Sequence, residues 1–183
     1  LKDEVTITVC AEEDGYTGGY MGYYAQNLYG VSSDASDYYK QTVKLLDKYP
    51  NYNKNIKLNY VDTQASEFTE ISKKYSNEKL AYGDIIVSSA KDGNERYKVL
   101  GFKDIYNLSE DSTYAAYGYS MSTVSGNNVE TAVTSAIAYV TSSKTKKVAL
   151  LTGHSKDDHT ADYQTLLKAN NYDITVISDS MVS

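Results

Sequence analysis

The chain has 183 residues, of which 41% are hydrophobic, and its formal net charge is −6. This length allows one full hydrophobic core or two small ones, and the acidic balance disfavours nucleic acid and anionic membrane surfaces as partners. Arg96 is the only arginine, which excludes a site built on several bidentate arginine clamps. The 20 tyrosines, against 2 phenylalanines and no tryptophan, fit either a sugar-binding surface or an ordinary solvated α/β domain.

One cysteine, Cys10, rules out a disulfide within the chain. This usage fits a cytosolic protein or an extracytoplasmic domain of a bacterium that uses few disulfides. The sequence contains no run of 18 apolar residues and no recognisable signal peptide. Because it begins at Leu1 without methionine and ends just after a predicted strand, we expect it to be a piece of a longer protein.

The first predicted element is a strand over residues 5–10, where β-branched residues alternate with others. Residues 12–32 follow and interleave five glycines with five tyrosines. This composition predicts a long loop, which is either a binding loop or an insertion without a function. Tyr20 and Tyr23 are the candidate ligand contacts in that loop.

Helical and strand patterns then alternate up to residue 108. The predicted elements are a helix from about residue 34 that closes at Pro50, a strand over 56–61, a helix over 66–75, a strand over 84–88, a second strand over 95–100 joined to it by a turn at 91–94, and a short helical turn over 104–108. The order β-α-β-α-β-β is that of a thioredoxin-like domain. We therefore predict an α/β fold whose first half, residues 1–108, is thioredoxin-like.

The redox chemistry of such a domain is not expected here. A thioredoxin needs a thiolate at a helix N-terminus with a second cysteine close by. Cys10 is followed instead by Ala11, Glu12 and Glu13, and nearby acids raise a thiol pKa rather than lower it. Pro50 is the only proline and does not precede the third strand, where active thioredoxins have a cis-proline.

Residues 109–128 are polar and are predicted to connect the two halves. A second α/β unit over 129–183 then begins with a helix that ends near residue 141, capped by Asn127 or Asn128. A continuously apolar strand leads to the turn Thr152-Gly153-His154, and a helix over 160–169 and a strand over 173–177 follow. This is a βαβ unit of a parallel sheet, in which ligands lie beyond the carboxyl ends of the strands. Thr152, Gly153 and His154 are therefore candidate ligand contacts.

The same turn holds the only dense cluster of groups that could serve as metal ligands or bases, among them His154, Asp157 and His159. No established zinc spacing is matched, and a solvated turn with aspartates at a helix N-terminus explains the same residues, so we assign no metal. Cys10 is interpreted as a buried hydrophobe rather than a nucleophile paired with His154. Asp62 and Asp84 are interpreted as turn formers. We assign no catalytic residue and expect no cofactor.

Several segments carry a family resemblance. They are residues 131–140, 147–154 with its strand ending in Thr-Gly-His, and 163–172 in the second half, and 56–62, 83–87 and 96–108 in the first. Together they resemble the auxiliary domain of gliding-motility-type ABC transporters over most of residues 4–178. Ser155 and Lys156 depart from that family, in which Gly and Glu are usual.

The resemblance implies an extracytoplasmic domain at the cell surface, anchored by transmembrane segments outside this sequence and partnered by ABC permease and ATPase subunits. It also implies that the second unit is the start of a flavodoxin- or glutaminase-like sheet that continues beyond Ser183. The first functional hypothesis is thus a non-catalytic domain for ligand binding or complex assembly. The alternatives are a carbohydrate- or peptide-binding module that uses residues 15–30, and a hydrolase- or amidotransferase-like enzyme that uses His154.

Overall fold

The structure is a computed structural model that describes residues 1, 3–31, 34–91, 94–112, 118, 121–142, 146–153 and 160–178. The chain divides into two compact units, Leu1–Thr141 and Ser142–Ser183, and both are mixed α/β. The strands of the first unit are β1 (Val5–Val9), β2 (Ile56–Tyr60), β3 (Ile85–Lys91), β4 (Asn94–Leu100), β5 (Tyr106–Asp111) and β6 (Met121–Asn127). Its helices are α1 (Glu13–Thr17), α2 (Tyr20–Tyr29), α3 (Ser36–Leu46), α4 (Lys48–Tyr52), α5 (Ser66–Lys74), α6 (Phe102–Ile105) and α7 (Val129–Thr141).

A four-stranded sheet in the order β2-β1-β3-β4 forms the centre of the first unit. β1 is parallel to β2 and antiparallel to β3, and β3 is antiparallel to β4. The apolar residues of β1, Val5, Ile7 and Val9, are fully buried, as a central strand requires. Ile85 and Val87 of β3 face the main core. The α/β class predicted from the sequence is therefore confirmed.

The predicted boundary at residue 129 is wrong, because α7 belongs to the first unit. This helix packs against β1, β3, β4 and α3, and its buried stripe comprises Val129, Val133, Ala136, Ile137 and Val140. Asn127 caps it, since its Oδ1 accepts a hydrogen bond from Val129 N at 2.9 Å. The apolar spacing correctly predicted a buried face on this helix, but nothing local identifies the sheet that the face covers.

Two further stretches differ from the prediction. Residues 109–128 are not simply a connection, because β5 and β6 pair antiparallel there, with Tyr106 opposite Asn127. The helical turn predicted over 104–108 is α6, which ends at Ile105, and β5 begins at the next residue. Both strands are largely polar and only partly buried, so they lack the apolar alternation from which a strand is predicted.

The predicted loop over 12–32 is instead mostly helical, since α1 and α2 occupy it. Tyr16, Met21 and Ala25 are buried in the main core, and this packing outweighs the low helix propensity of the glycines. Gly18 and Gly19 separate the two helices. Gly30 ends α2 at φ +66°, a left-handed conformation that favours glycine.

The second unit contains a parallel pair of strands, β7 (Lys146–Thr152) and β8 (Tyr172–Ser178), joined by α8 (Thr160–Ala169). The pairing runs from Lys146 opposite Tyr172 to Thr152 opposite Ser178, which confirms the predicted βαβ unit. In the part of the chain that the structure describes, no helix combines the length and the apolar character needed to cross a bilayer.

Candidate functional site

The ends of four strands meet at one edge of the central sheet. Val9 pairs with Tyr60 and with Ile85, and Ile85 pairs with Leu100, so the carboxyl ends of β1, β2 and β4 lie beside the start of β3. This strand-end edge comprises residues 10–12, 61–62, 82–84 and 101–104. Polar side chains can converge at such an edge without interrupting the sheet.

Cys10 lies at this edge but is fully buried. Its backbone is hydrogen-bonded to the segment before β3: Cys10 N donates to Asp84 O at 2.8 Å, and Gly83 N donates to Cys10 O at 2.9 Å. The side chain packs in a second apolar cluster with Tyr75 and Ile86. Burial, followed by the charge of Asp84, raises the pKa of the Cys10 thiol to about 12. Burial therefore suppresses the thiolate, rather than Glu12 and Glu13, which the sequence suggested.

We predict that Cys10 is protected from thiol reagents in the folded protein. With its pKa near 12 and its surface fully buried, the thiolate is scarce and inaccessible at pH 8. A disulfide reagent should label the native chain at least ~100-fold more slowly than the chain in denaturant. Labelling at the rate of a free thiol without denaturant would show that the strand-end edge is open at Cys10.

Asp84 and Asp104 form a carboxyl pair at the same edge, which sequence reasoning missed. Asp84 Oδ2 accepts from Ala81 N at 2.8 Å, and Asp104 Oδ2 accepts from Gly101 N at 2.8 Å. A Cβ built on Gly101 would lie 3.7 Å from an oxygen of each carboxyl group. Burial is the largest cause that raises the pKa of Asp84 to about 6, and the charges of Asp104 and Glu78 raise it further.

The turn-forming role predicted for Asp62 and Asp84 is confirmed, since Asp62 Oδ1 also accepts from Gln64 N at 2.8 Å. The burial of Asp84 to 6% exposure had one signal in the sequence, namely its position directly before the apolar run of β3. The proximity of Asp104 had none, because it depends on the pairing of β3 with β4.

The second feature beside this edge is an exposed group of aromatic rings. A shallow depression of about 320 Å³ is lined by Gly18, Gly19, Tyr20 and Tyr23. The side chains of Tyr20 and Tyr23 are 65% and 63% exposed. We call these four residues, together with Tyr24 and Tyr82, the tyrosine surface.

Tyr24 and Tyr82 form the base of this surface. Their rings stack with centroids 4.4 Å apart and planes inclined by 6°, and Tyr23 meets Tyr24 edge-on at 5.8 Å. Gly15 gives Tyr82 room, because a Cβ there would overlap the Tyr82 hydroxyl. The rings are therefore held by α1, α2 and the segment before β3. The sequence indicated Tyr20 and Tyr23, but the contact between residues 24 and 82 depends on the fold.

Gly83 fixes the segment that carries Tyr82. Its φ of +86° lies in the left-handed region, and a Cβ there would come 2.6 Å from the Met21 sulfur. Met21 is a buried residue of α2, the helix that carries Tyr20 and Tyr23. The close approach at Gly83 thus sets the distance between α2 and the strand-end edge.

The remaining candidates belong to the second unit. Thr152 ends β7, and Gly153 follows with φ +97°. His154, Asp157 and His159 lie outside the described residues. Among the residues that are described, no group of three or more His, Cys, Asp or Glu side chains is arranged to hold a metal ion.

The fold and the site together define a mixed α/β protein with a tyrosine surface and, at one sheet edge, the buried carboxyl group of Asp84 near the exposed Asp104. Comparisons with protein-family models, with curated proteins and with solved structures find no match to this chain.

Proposed function

We propose that the chain is a non-catalytic domain that binds a ligand or partner through its tyrosine surface. The observation that carries this proposal is the exposure of Tyr20 and Tyr23 above the stacked pair of Tyr24 and Tyr82. Exposed aromatic rings on a fixed base provide a large contact area at little cost in side-chain entropy, and tyrosine is enriched among residues that dominate binding energies.

The first unit is, in this proposal, a thioredoxin-like domain without redox activity. The strand order β2-β1-β3-β4, with β3 antiparallel to its neighbours, supports the thioredoxin-like arrangement. The burial of Cys10 and the high pKa of its thiol support the loss of redox chemistry. The parallel pair β7–β8 supports a flavodoxin- or glutaminase-like second unit.

The resemblance to the auxiliary domain of gliding-motility-type ABC transporters gives the proposed setting. The domain would lie on the extracytoplasmic side of the membrane and contact permease or ATPase-bearing subunits of a transport system. A carbohydrate- or peptide-binding module is the second candidate function, and it is favoured by the same tyrosine surface. A hydrolase that uses His154 has no supporting observation among the described residues.

The experiment is affinity purification of the tagged full-length protein from detergent-solubilised membranes of its source organism. We expect ABC permease and ATPase subunits to co-purify, and protease treatment of intact cells to cleave the domain. The Tyr20→Ala/Tyr23→Ala double variant should reduce the recovery of those subunits at least ~5-fold. A tyrosine that becomes buried at an interface commonly contributes about 1–2 kcal/mol or more to the binding free energy.

The matched control is Tyr52→Ala, which removes a tyrosine that is 85% exposed on α4, outside the tyrosine surface. This variant should behave like the wild type. Recovery of the protein from the soluble fraction without ABC subunits would contradict the transporter setting. Equal losses in the double variant and in Tyr52→Ala would contradict a role for the tyrosine surface.

A further inference from the structure

The tyrosine surface lies in the most acidic part of the chain. Residues 3–39 contain seven aspartates and glutamates and no lysine, arginine or histidine. Glu12, Glu13 and Asp14, which precede the tyrosine pair of α2, are all exposed. Glu13 and Asp14 also stabilise the first turn of α1, but that role does not require exposed tyrosines nearby.

Two carboxylates, Glu12 and Asp62, act on the Tyr82 ring. Burial raises the pKa of Tyr82 to about 12, and of the charged groups that raise it further, Glu12 is the first and Asp62 the next. Glu12 lies close, because a Cβ on Gly15 would be 3.5 Å from its Oε2 and in contact with the Tyr82 hydroxyl. The tyrosine rings and these two carboxylates thus occupy neighbouring positions.

Rings and carboxylates together select for cations. The face of a tyrosine ring attracts an ammonium or guanidinium group, and nearby carboxylates add an attraction that is strongest at low salt. A neutral glycan would stack on the rings and donate hydroxyl hydrogen bonds to Glu12 or Asp62, but it would lack the salt-dependent charge attraction, and an anionic ligand would be repelled.

The shape favours a segment of chain over a single small ion. The surface is open, and the Tyr24–Tyr82 stack at its base lies near Glu12 and Asp62, which follow β1 and β2. A peptide that places cationic side chains at intervals would meet both the rings and the carboxylates.

We propose that the tyrosine surface binds a segment of a partner protein that carries lysine or arginine side chains. This inference rests on the proposed binding function and specifies the chemistry of the partner.

The test is calorimetric titration of the chain with a synthetic peptide of alternating glycine and lysine. Control titrants are a peptide in which glutamine replaces each lysine, and chitohexaose as a neutral glycan. We expect the lysine peptide alone to bind, and its affinity to fall at least ~10-fold between about 30 and about 300 mM NaCl. Tyr20→Ala/Tyr23→Ala should weaken binding at least ~5-fold.

Two charge variants separate local from general attraction. Glu12→Gln/Glu13→Gln and Glu67→Gln/Glu110→Gln change the net charge equally, and all four glutamates are exposed. The first variant should weaken binding at least ~5-fold, and the second less than ~2-fold. Equal losses in both variants, or no binding of the lysine peptide, would overturn the inference.

The outcomes also separate this inference from the proposed function. Binding of chitohexaose or of the glutamine peptide that depends on Tyr20 and Tyr23 would overturn the preference for cations and leave a binding function in place. Co-purification of ABC subunits together with no lysine-peptide binding would likewise overturn the preference for cations and leave a binding function in place. Failure of both experiments would remove the proposed function itself.

Discussion

Asp84→Asn is expected to raise the free energy of unfolding at pH 7 by about 2 kcal/mol. The buried carboxyl group has a pKa near 6, against 3.8 for an ordinary aspartate, so folding at neutral pH confines a charge to an apolar site. An amide of the same shape carries no charge. Its oxygen retains the acceptor for Ala81 N, whose hydrogen bond to Asp84 Oδ2 is 2.8 Å long.

The direction of the pH dependence follows from the two pKa values. Below about pH 4 the carboxyl is protonated in both states and costs no stability. Between about pH 4 and pH 6 the unfolded chain has released the proton while the folded chain retains it, so the contribution to stability falls as pH rises. Above about pH 6 the loss is complete. The gain from Asp84→Asn should therefore be near zero at pH 4 and largest at pH 7.

Urea unfolding of both proteins at several pH values between 4 and 7.5 measures this difference. Asp62→Asn is the control, because Asp62 makes a similar bond to a backbone N–H but is less buried. An equal gain at pH 4 and pH 7 for Asp84→Asn, or the same profile for Asp62→Asn, would contradict the account. A destabilised Asp84→Asn would show that the ionised carboxyl has a partner that an amide cannot replace.

The sequence predicted the elements whose side chains alternate or repeat regularly. β1 was recognised because its apolar residues alternate, and the βαβ unit because a continuously apolar strand ends at Gly153 and is followed by a helical and a strand pattern. The helices α1 and α2 were not, since glycine lowers helix propensity and the burial of Tyr16 and Met21 is visible only in the folded core. Local patterns thus predict an element well when the same pattern determines its packing.

For the site, the residue types were predictable and their partners were not. Tyr20 and Tyr23 were expected as contacts, but in a loop rather than on a helix. The stack of Tyr24 on Tyr82 and the approach of Asp104 to Asp84 join residues far apart in the chain. Such contacts are set by strand order, which no local stretch of this chain encodes.

Tyr106→Phe is expected to lower the free energy of unfolding by about 1–3 kcal/mol. The Tyr106 hydroxyl is the centre of a buried network, 3.0 Å from the Tyr16 hydroxyl and 2.7 Å from Thr42 Oγ1. Asn127 Nδ2 in turn donates to Thr42 Oγ1 at 2.9 Å. The network therefore connects α1, α3, β5 and β6.

The cost arises because the substitution leaves a buried hydroxyl without its hydrogen-bond partner. Tyr16 is fully buried, and among the described residues the Tyr106 hydroxyl is the hydrogen-bond partner of its hydroxyl. Removing one partner of a buried pair costs the desolvation of the other, whereas removing both is much less costly. The double variant Tyr16→Phe/Tyr106→Phe should consequently be more stable than the sum of the two single changes predicts.

Tyr39 provides the matched control within the same cluster. Its ring lies edge-on to those of Tyr16 and Tyr106, at 6.3 Å and 5.4 Å, but its buried hydroxyl has no hydrogen-bond partner among the described residues. Tyr39→Phe should thus leave stability unchanged within about 0.5 kcal/mol or raise it. Chemical denaturation of Tyr16→Phe, Tyr39→Phe, Tyr106→Phe and the double variant measures these changes in the free energy of unfolding. Because both substitutions keep the ring, a Tyr106→Phe variant as stable as Tyr39→Phe would show that ring packing, and not the hydroxyl network, holds this part of the core together.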